Sequence, residues 1–197
     1  MSLLRAFIAI ELPRHTRDAI EQQTAHLRQT LGNGLIRWVP SENMHLTLKF
    51  LGDVAASHLN FLKQMLAHVA DSHPQFDLQI GGLGSYPTTR NPRVLWIGIH
   101  APMDLPAMQK HIEEGSVRLG YEQEERAFSP HLTIGRVRQN ANLSDLPKIR
   151  AALDKTQLGN IDIARIDSIH LFKSDRLPSG SIYTKLFSAP LTKRGET

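Results

Sequence analysis

Apolar residues along the chain follow two rhythms, one of period two and one of period three to four, and the changes between them delimit the expected elements. Residues 3 to 12 alternate and carry β-branched positions, which predicts a strand closed by Pro13. Ile20, Leu27 and Leu31 then share one helical face, predicting a helix over 13–31 that ends at Gly32 and Gly34. A short strand from Ile36 to Val39 and a Pro-containing turn lead into His45-Leu46-Thr47-Leu48-Lys49-Phe50, another alternating strand. Leu59, Leu62, Leu66 and Val69 mark a second helix, and Phe76 to Ile80 a further strand.

The same succession then recurs. Arg93 to Ile99 reads as a strand resembling Arg5 to Ile10, and Leu105, Met108, Ile112 and Leu119 outline the helix after it. His131-Leu132-Thr133-Ile134 follows, and Ser144 is expected to cap a helix carrying Ile149 and Leu153. Ile161 to Phe172 and Ser181 to Leu191 read as strands. Arg93 stands 88 residues after Arg5 and His131 stands 86 after His45, a nearly constant offset that points to a duplicated lobe. The fold class expected is α+β, with two lobes that each carry a mostly antiparallel sheet and flanking helices. With no Ser/Gly-rich linker between them, the lobes should pack as one body.

Composition narrows the chemistry. The 41% hydrophobic and 21% charged residues are ordinary for a folded chain, and the formal charge of +4 suits a phosphate-rich partner without requiring one. The chain has no cysteine, so disulfides, thiolate catalysis and cysteine-based zinc sites are excluded. The apolar stretch Ala6 to Ile10 is cut by Glu11 and lacks a small-residue cleavage site, so no secretion signal is expected. Without an apolar run long enough to cross a bilayer, no membrane association is expected, and the cytoplasm is the expected compartment.

Residues two apart on a strand share a face. Strict alternation puts His45, Thr47 and Lys49 on one side and Leu46, Leu48 and Phe50 in the core, and it pairs His131 with Thr133 in the same way. If the lobes face each other, one groove receives two imidazoles and two hydroxyls. A neutral imidazole can take a proton from water while a protonated one donates to a departing ribose oxygen, as hydrolysis of a cyclic phosphate requires. The threonines can donate to non-bridging oxygens, and Arg136 offers a guanidinium fork for the same phosphate. Alternation puts Arg136 on the wrong face, and Gly135 is where a bulge would bring it back. With 10 His and 11 Thr, about half a His-x-Thr match arises by chance, so one copy carries no weight. Two copies at equivalent places in a doubled plan do carry weight, against the plainer reading of two surface strands rich in Thr for its β-propensity.

At these residues the chain resembles the two-histidine (2H) phosphoesterases, and among them the bacterial and archaeal RNA 2′,3′-cyclic phosphodiesterases, long called 2′-5′ RNA ligases. The likeness extends over Arg5 to Pro13, Arg37 to Gly52, Pro92 to Ile99, Phe128 to Arg136, and the tail Leu171 to Ser174 with Tyr183. It implies one domain over residues 1–197 made of two interleaved lobes, related by a pseudo-twofold axis around a central cleft. It also implies His45 as proton donor to the leaving 3′ oxygen and His131 as the base that activates water, leaving a 2′-phosphate. Thr47, Thr133 and Arg136 would hold the phosphate. No metal or other cofactor is called for. The partner implied is an RNA or oligonucleotide ending in a 2′,3′-cyclic phosphate, tRNA fragments among the candidates, and a monomer is expected. Joining of RNA ends through 2′-5′ linkages is the same step reversed, with a ribose hydroxyl in place of water.

The competing readings are a non-catalytic RNA-end or nucleotide binding module and a metal-dependent phosphoesterase. Gly81-Gly82-Leu83-Gly84-Ser85 lacks the Lys-Ser/Thr of a phosphate loop and reads as a strand-end turn or bulge. His15, His58, His68, His100, His111 and His170 show no metal-site spacing and are expected to be solvated or satisfied locally. Lys49 is read either as a contact to RNA phosphates or as a solvated strand-end residue; Trp38 and Trp96 are candidates for stacking on a base, with Trp96, in an apolar strand, read in preference as core.

Overall fold

The computed structural model describes residues 3–177 and 180–193. Two antiparallel sheets are built from β1 (Leu3–Glu11), β2 (Ile36–Trp38), β3 (His45–Ala55), β4 (Phe76–Thr88), β5 (Asn91–His100), β6 (His131–Val137), β7 (Asn160–Ile166), β8 (Ser168–Leu177) and β9 (Gly180–Pro190). The helices are α1 (Arg14–Leu35), α2 (Leu59–Asp71), α3 (Asp104–Arg118) and α4 (Leu146–Lys155). One sheet has the order β3-β1-β8-β9 and the other β2-β6-β5-β4-β7.

The lobes exchange elements. Helix α1 leaves β1 but packs on β2 and β7 of the other sheet, whereas α3 leaves β5 and packs on β3. Helices α2 and α3 cover the four-stranded sheet, and α1 and α4 the five-stranded one. A continuous core runs through both lobes, from Ile8, Ile10 and Leu46 to Ile97, Leu132 and Ile134.

Helix α1 is held by the stripe Thr16, Ile20, Thr24, Leu27 and Leu31, all buried. Gly32, at φ 62°, breaks it in the left-handed region that glycine adopts freely, and a further turn runs to Leu35. The expected end at Gly32 is therefore a break within a longer element.

Two other expectations are corrected, and of the two readings of the glycine segment, turn or bulge, the bulge is found. The apolar run from Ile161 to Phe172 is two strands, split at Asp167, because the chain crosses there from the edge of one sheet to the middle of the other. Ser144 does not cap α4; a single 3-10 turn, Leu143–Asp145, precedes it, closed by Asn142 and Asp145 through reciprocal side-chain bonds. The glycine segment after Ile80 stays in the sheet: β4 runs on to Thr88 through a bulge at Gly82, whose φ is 75°.

The duplication is visible in the registers. Glu11 pairs with His45 and Gly98 with His131, so the equivalent offset between β1 and β5 is 87, one less than the likeness of Arg5 and Arg93 suggests. In each pair the register slips at the same point, three residues past the histidine. Ile8 pairs with Lys49 and Ala9 with Thr47, skipping Leu48; Leu95 pairs with Gly135 and Trp96 with Thr133, skipping Ile134. Both motif strands thus carry a bulge that inverts the faces after it, in β3 only as far as a second skip at Leu51.

Candidate active site

The two motif strands, β3 and β6, lie against each other where the sheets meet. His45, Thr47, His131, Thr133 and Arg136, all singled out from sequence, line one cleft of about 620 Å³ between them.

Each histidine is the first residue of its strand and is oriented in the same way. His45 Nδ1 lies 2.8 Å from the Asn43 carbonyl and His131 Nδ1 2.7 Å from the Ser129 carbonyl. A carbonyl can only accept, so Nδ1 carries the hydrogen in both rings and Nε2 is the nitrogen left for a substrate. Asn43 is itself tied down, donating from Nδ2 to the Ser181 carbonyl at 3.1 Å, which links the His45 turn to β9.

The rings differ in their surroundings. His45 sits on a small aromatic cluster of Phe7, Phe172 and Tyr183, with the Phe7 ring at 4.8 Å and the Tyr183 edge at 5.1 Å. Burial there pushes its pKa below the ordinary value of 6.5; the Asn43 bond and the charge of Glu11 act the other way. His131 meets the Tyr86 edge at 5.1 Å and Trp96 at 6.5 Å, and the Tyr86 hydroxyl shares a hydrogen bond of 3.0 Å with Ser129.

The paired bulges decide what else reaches the cleft. Skipping Ile134 buries Gly135 and brings Arg136 to the cleft face, as the glycine suggested. A side chain at Gly135 would strike Ile36 Cγ2 at 2.7 Å and Trp38 Cε3 at 3.0 Å, so the bulge is packed against β2. Skipping Leu48 has the opposite effect on the expectation for Lys49 and Phe50. Lys49 turns into the interior, where Nζ meets Glu113 at 2.6 Å and donates to the Glu122 carbonyl; its side chain is 3% exposed. Phe50, expected in the core, is 62% exposed on the cleft rim. Lys49 is therefore an internal tie and not a phosphate contact.

Trp96 is also corrected. It is out of phase with the buried Leu95 and Ile97, so it belongs to the cleft side of β5, beside His131 and tight over Gly84. That phase was available in the sequence. Trp38 is engaged by Arg28, whose guanidinium carbon lies 4.9 Å from its ring centroid. Of the other histidines, His15 faces Asp162, His58 faces Tyr121, His111 bonds to His73, and His170 lies 3.3 Å from Ser168 Oγ.

Residues given no role in the site from the sequence complete the cleft. Arg5, Arg37 and Arg176 join Arg136 at its wall, with Asn43, Ser174, Ser181 and Tyr183. No aspartate or glutamate is among the described residues that line it, and among the described residues none of the four arginines is in an ion pair. Four exposed guanidinium groups without a carboxylate make this a receptor for anions. Among the described residues no group of three or more His, Asp or Glu side chains is arranged to hold a metal ion, and no helix is long and apolar enough to cross a membrane.

Residues 10–96 and 98–183 match the LigT like Phosphoesterase family. The chain belongs to that family. A protein named RNA 2′,3′-cyclic phosphodiesterase from Methanothermobacter thermautotrophicus is 30% identical to this LigT-like phosphoesterase over 183 residues, 93% of this chain and 96% of the relative. One of the same name from Methanocaldococcus jannaschii is 31% identical over 182 residues, 91% and 96% of the two chains. The crystal structure of E. coli LigT complexed with 3′-AMP is similar with a TM-score of 0.76 at 25% identity, covering 98% of this chain and 100% of that one. As a LigT-like phosphoesterase, the chain presents two histidines, two threonines and an arginine-rich wall to one cleft.

Proposed function

We propose that this phosphoesterase opens a 2′,3′-cyclic phosphate at the end of an RNA. The observation that carries the reading is the matched pair of histidines, each held by a carbonyl at Nδ1 so that Nε2 is free in a cleft without carboxylates. His131 takes a proton from water as the water oxygen bonds to phosphorus, and the bond from phosphorus to O3′ breaks. His45 gives its proton to O3′. The product is a terminal 2′-phosphate, with one proton gained by one imidazole and one lost by the other. Thr47 and Thr133 donate to the non-bridging oxygens, and Arg136 neutralises the charge that accumulates on them.

The direction of proton flow is supported by the likeness to the two-histidine family and by the surroundings of His45. An imidazole whose burial lowers its pKa is a stronger acid toward a departing alkoxide. A ribose hydroxyl in place of water would form a 2′-5′ linkage in the same site. The reading needs no metal or cofactor, and a monomer acting on RNA in the cytoplasm fits it.

The experiment is product analysis on an oligonucleotide ending in a 2′,3′-cyclic phosphate, with EDTA present. The expected product is the 2′-phosphate, and His45→Ala and His131→Ala each reduce turnover by at least about a hundredfold while RNA binding persists. Binding without turnover by the unsubstituted chain would favour a receptor for RNA ends. Inhibition by EDTA would favour a metal-dependent reaction.

A further inference from the structure

The duplication that relates His45 to His131 is broken beside them. In the register of β1 with β3, Glu11 stands directly opposite His45; in that of β5 with β6, the equivalent place opposite His131 is Gly98. Directly opposed residues share a face of the sheet with Cβ atoms about 5 Å apart, so the Glu11 side chain leaves its strand beside His45. Opposite His131 there is no room for such a group. A Cβ at Gly98 would lie 2.7 Å from the Gly81 carbonyl oxygen, so the backbone of β4 closes that place to a side chain. One imidazole therefore has a carboxylate across from it, and the other has only backbone.

Glu11 is fixed in place. Lys185 Nζ on β9 donates to its Oε2 at 2.5 Å, and His170 Nε2 on β8 lies 3.9 Å from the same oxygen. Burial and the charge of Lys185 hold the His170 pKa below its ordinary value, so that ring is uncharged at neutral pH. The other titratable groups around His45 are Tyr183 on β9, Arg5 on β1 and Arg176 on β8, with His131, Arg136 and Arg37 across the cleft. Each of these is neutral or cationic near neutral pH. Glu11 is the carboxylate that works against them and against burial to favour a charged His45. The cage of Phe7, Phe172 and Tyr183 makes the ring a stronger acid, but a donor must also hold its proton until O3′ departs. We propose that Glu11 is the positioning residue that sets the direction of proton transfer, keeping the charge on His45 while His131, with glycine opposite, acts as the base. The inference rests on the phosphodiesterase reading above and adds what makes two histidines held in the same way act as unlike partners.

Glu11→Gln keeps the size of the side chain and its bond to Lys185 and removes the charge. It is expected to lower kcat/KM for an oligonucleotide ending in a 2′,3′-cyclic phosphate about tenfold at pH 8.5, with the loss shrinking as the pH falls. The His45 titration followed by NMR should move to lower pH in the same variant. Lys185→Gln, which frees Glu11 from its counter-charge, should move that titration to higher pH, and the His131 ring should move less than His45 in both. A loss of equal size at every pH, or His45 titrations that shift in one direction in the two variants, would make the ion pair a structural tie and overturn the assignment. So would an unmoved His45, or a His131 that shifts as much. If the unsubstituted chain opens no cyclic phosphate, the phosphodiesterase reading fails, while the titrations, which need no turnover, still decide whether Glu11 singles out His45.

Discussion

Lys49 and Glu113 form an ion pair of 2.6 Å with side chains only 3% and 13% exposed, and they tie the strand of His45 to the segment that leads to His131. Lys49 also donates to the Glu122 carbonyl, and Glu113 accepts from the Glu124 amide at 2.8 Å. Lys49→Met leaves Glu113 buried without its counter-charge, which costs about 3 kcal/mol. Denaturant titration should show that loss in Lys49→Met and recovery of most of it in the Lys49→Met, Glu113→Leu double variant. Equal stability of the single and the double variant would show that the pair is not coupled.

Gly135 is the counterpart of Lys49 in the second bulge, and a methyl group there meets Ile36 and Trp38 at 2.7 and 3.0 Å. Gly135→Ala should push β2 away from β6 at a cost of about 2 kcal/mol and shift Arg136 on its strand. The expected result is a lower melting temperature together with a higher KM for the cyclic-phosphate RNA. An unchanged KM in the folded variant would argue that Arg136 does not touch the phosphate.

Burial lowers the pKa of His45 in the free protein, so its ring is expected to titrate below 6.5 when followed by NMR. An anion bound at Nε2 favours the charged ring, so inorganic phosphate should raise that value. With His45 as the proton donor proposed above, activity falls as pH rises through its pKa. That descending limb should lie at higher pH in kcat, which reports the complex, than in kcat/KM, which reports the free enzyme. A His45 that titrates at or above 6.5 without ligand would contradict the cage of Phe7, Phe172 and Tyr183 as the cause.

Burial also lowers the pKa of His73 and of His170, with nearby positive groups adding to the effect. For all three histidines the unfolded chain binds a proton at higher pH than the folded one. Stability is therefore complete above about pH 6.5 and declines as pH falls through the folded values. Melting curves at pH 7.5 and pH 5 should show the lower transition temperature at pH 5; an unchanged or higher temperature would mean that other groups outweigh these three.

Much of the site was legible because its two strands obey a period of two up to the threonines, and the histidines are in phase with them. Arg136 was recoverable only because a glycine precedes it. Lys49 and Phe50 were misread for the opposite reason: nothing local marks the bulge at Leu48, whose partners Gln109 and Glu113 come from a helix some sixty residues away. Trp96 could have been assigned to the cleft from its phase against Leu95 and Ile97. The break at Asp167 was hidden because apolar residues continue on both sides of it, and only the change of sheet separates them. Arg5, Arg37 and Arg176 carry no common pattern in the sequence. Folding alone gathers them.

The split at Asp167 sends β8 and β9 back to the sheet of β1, so the rings of Phe172 and Tyr183 reach His45 only through the last strands of the chain. A ribosome-bound chain that has exposed residues up to about 160 already carries both histidines, yet β1 is unpaired on one edge and the His45 ring lacks most of its cage. Two of the three rings around His45 thus depend on the last strands of the chain, while both histidines come from earlier ones.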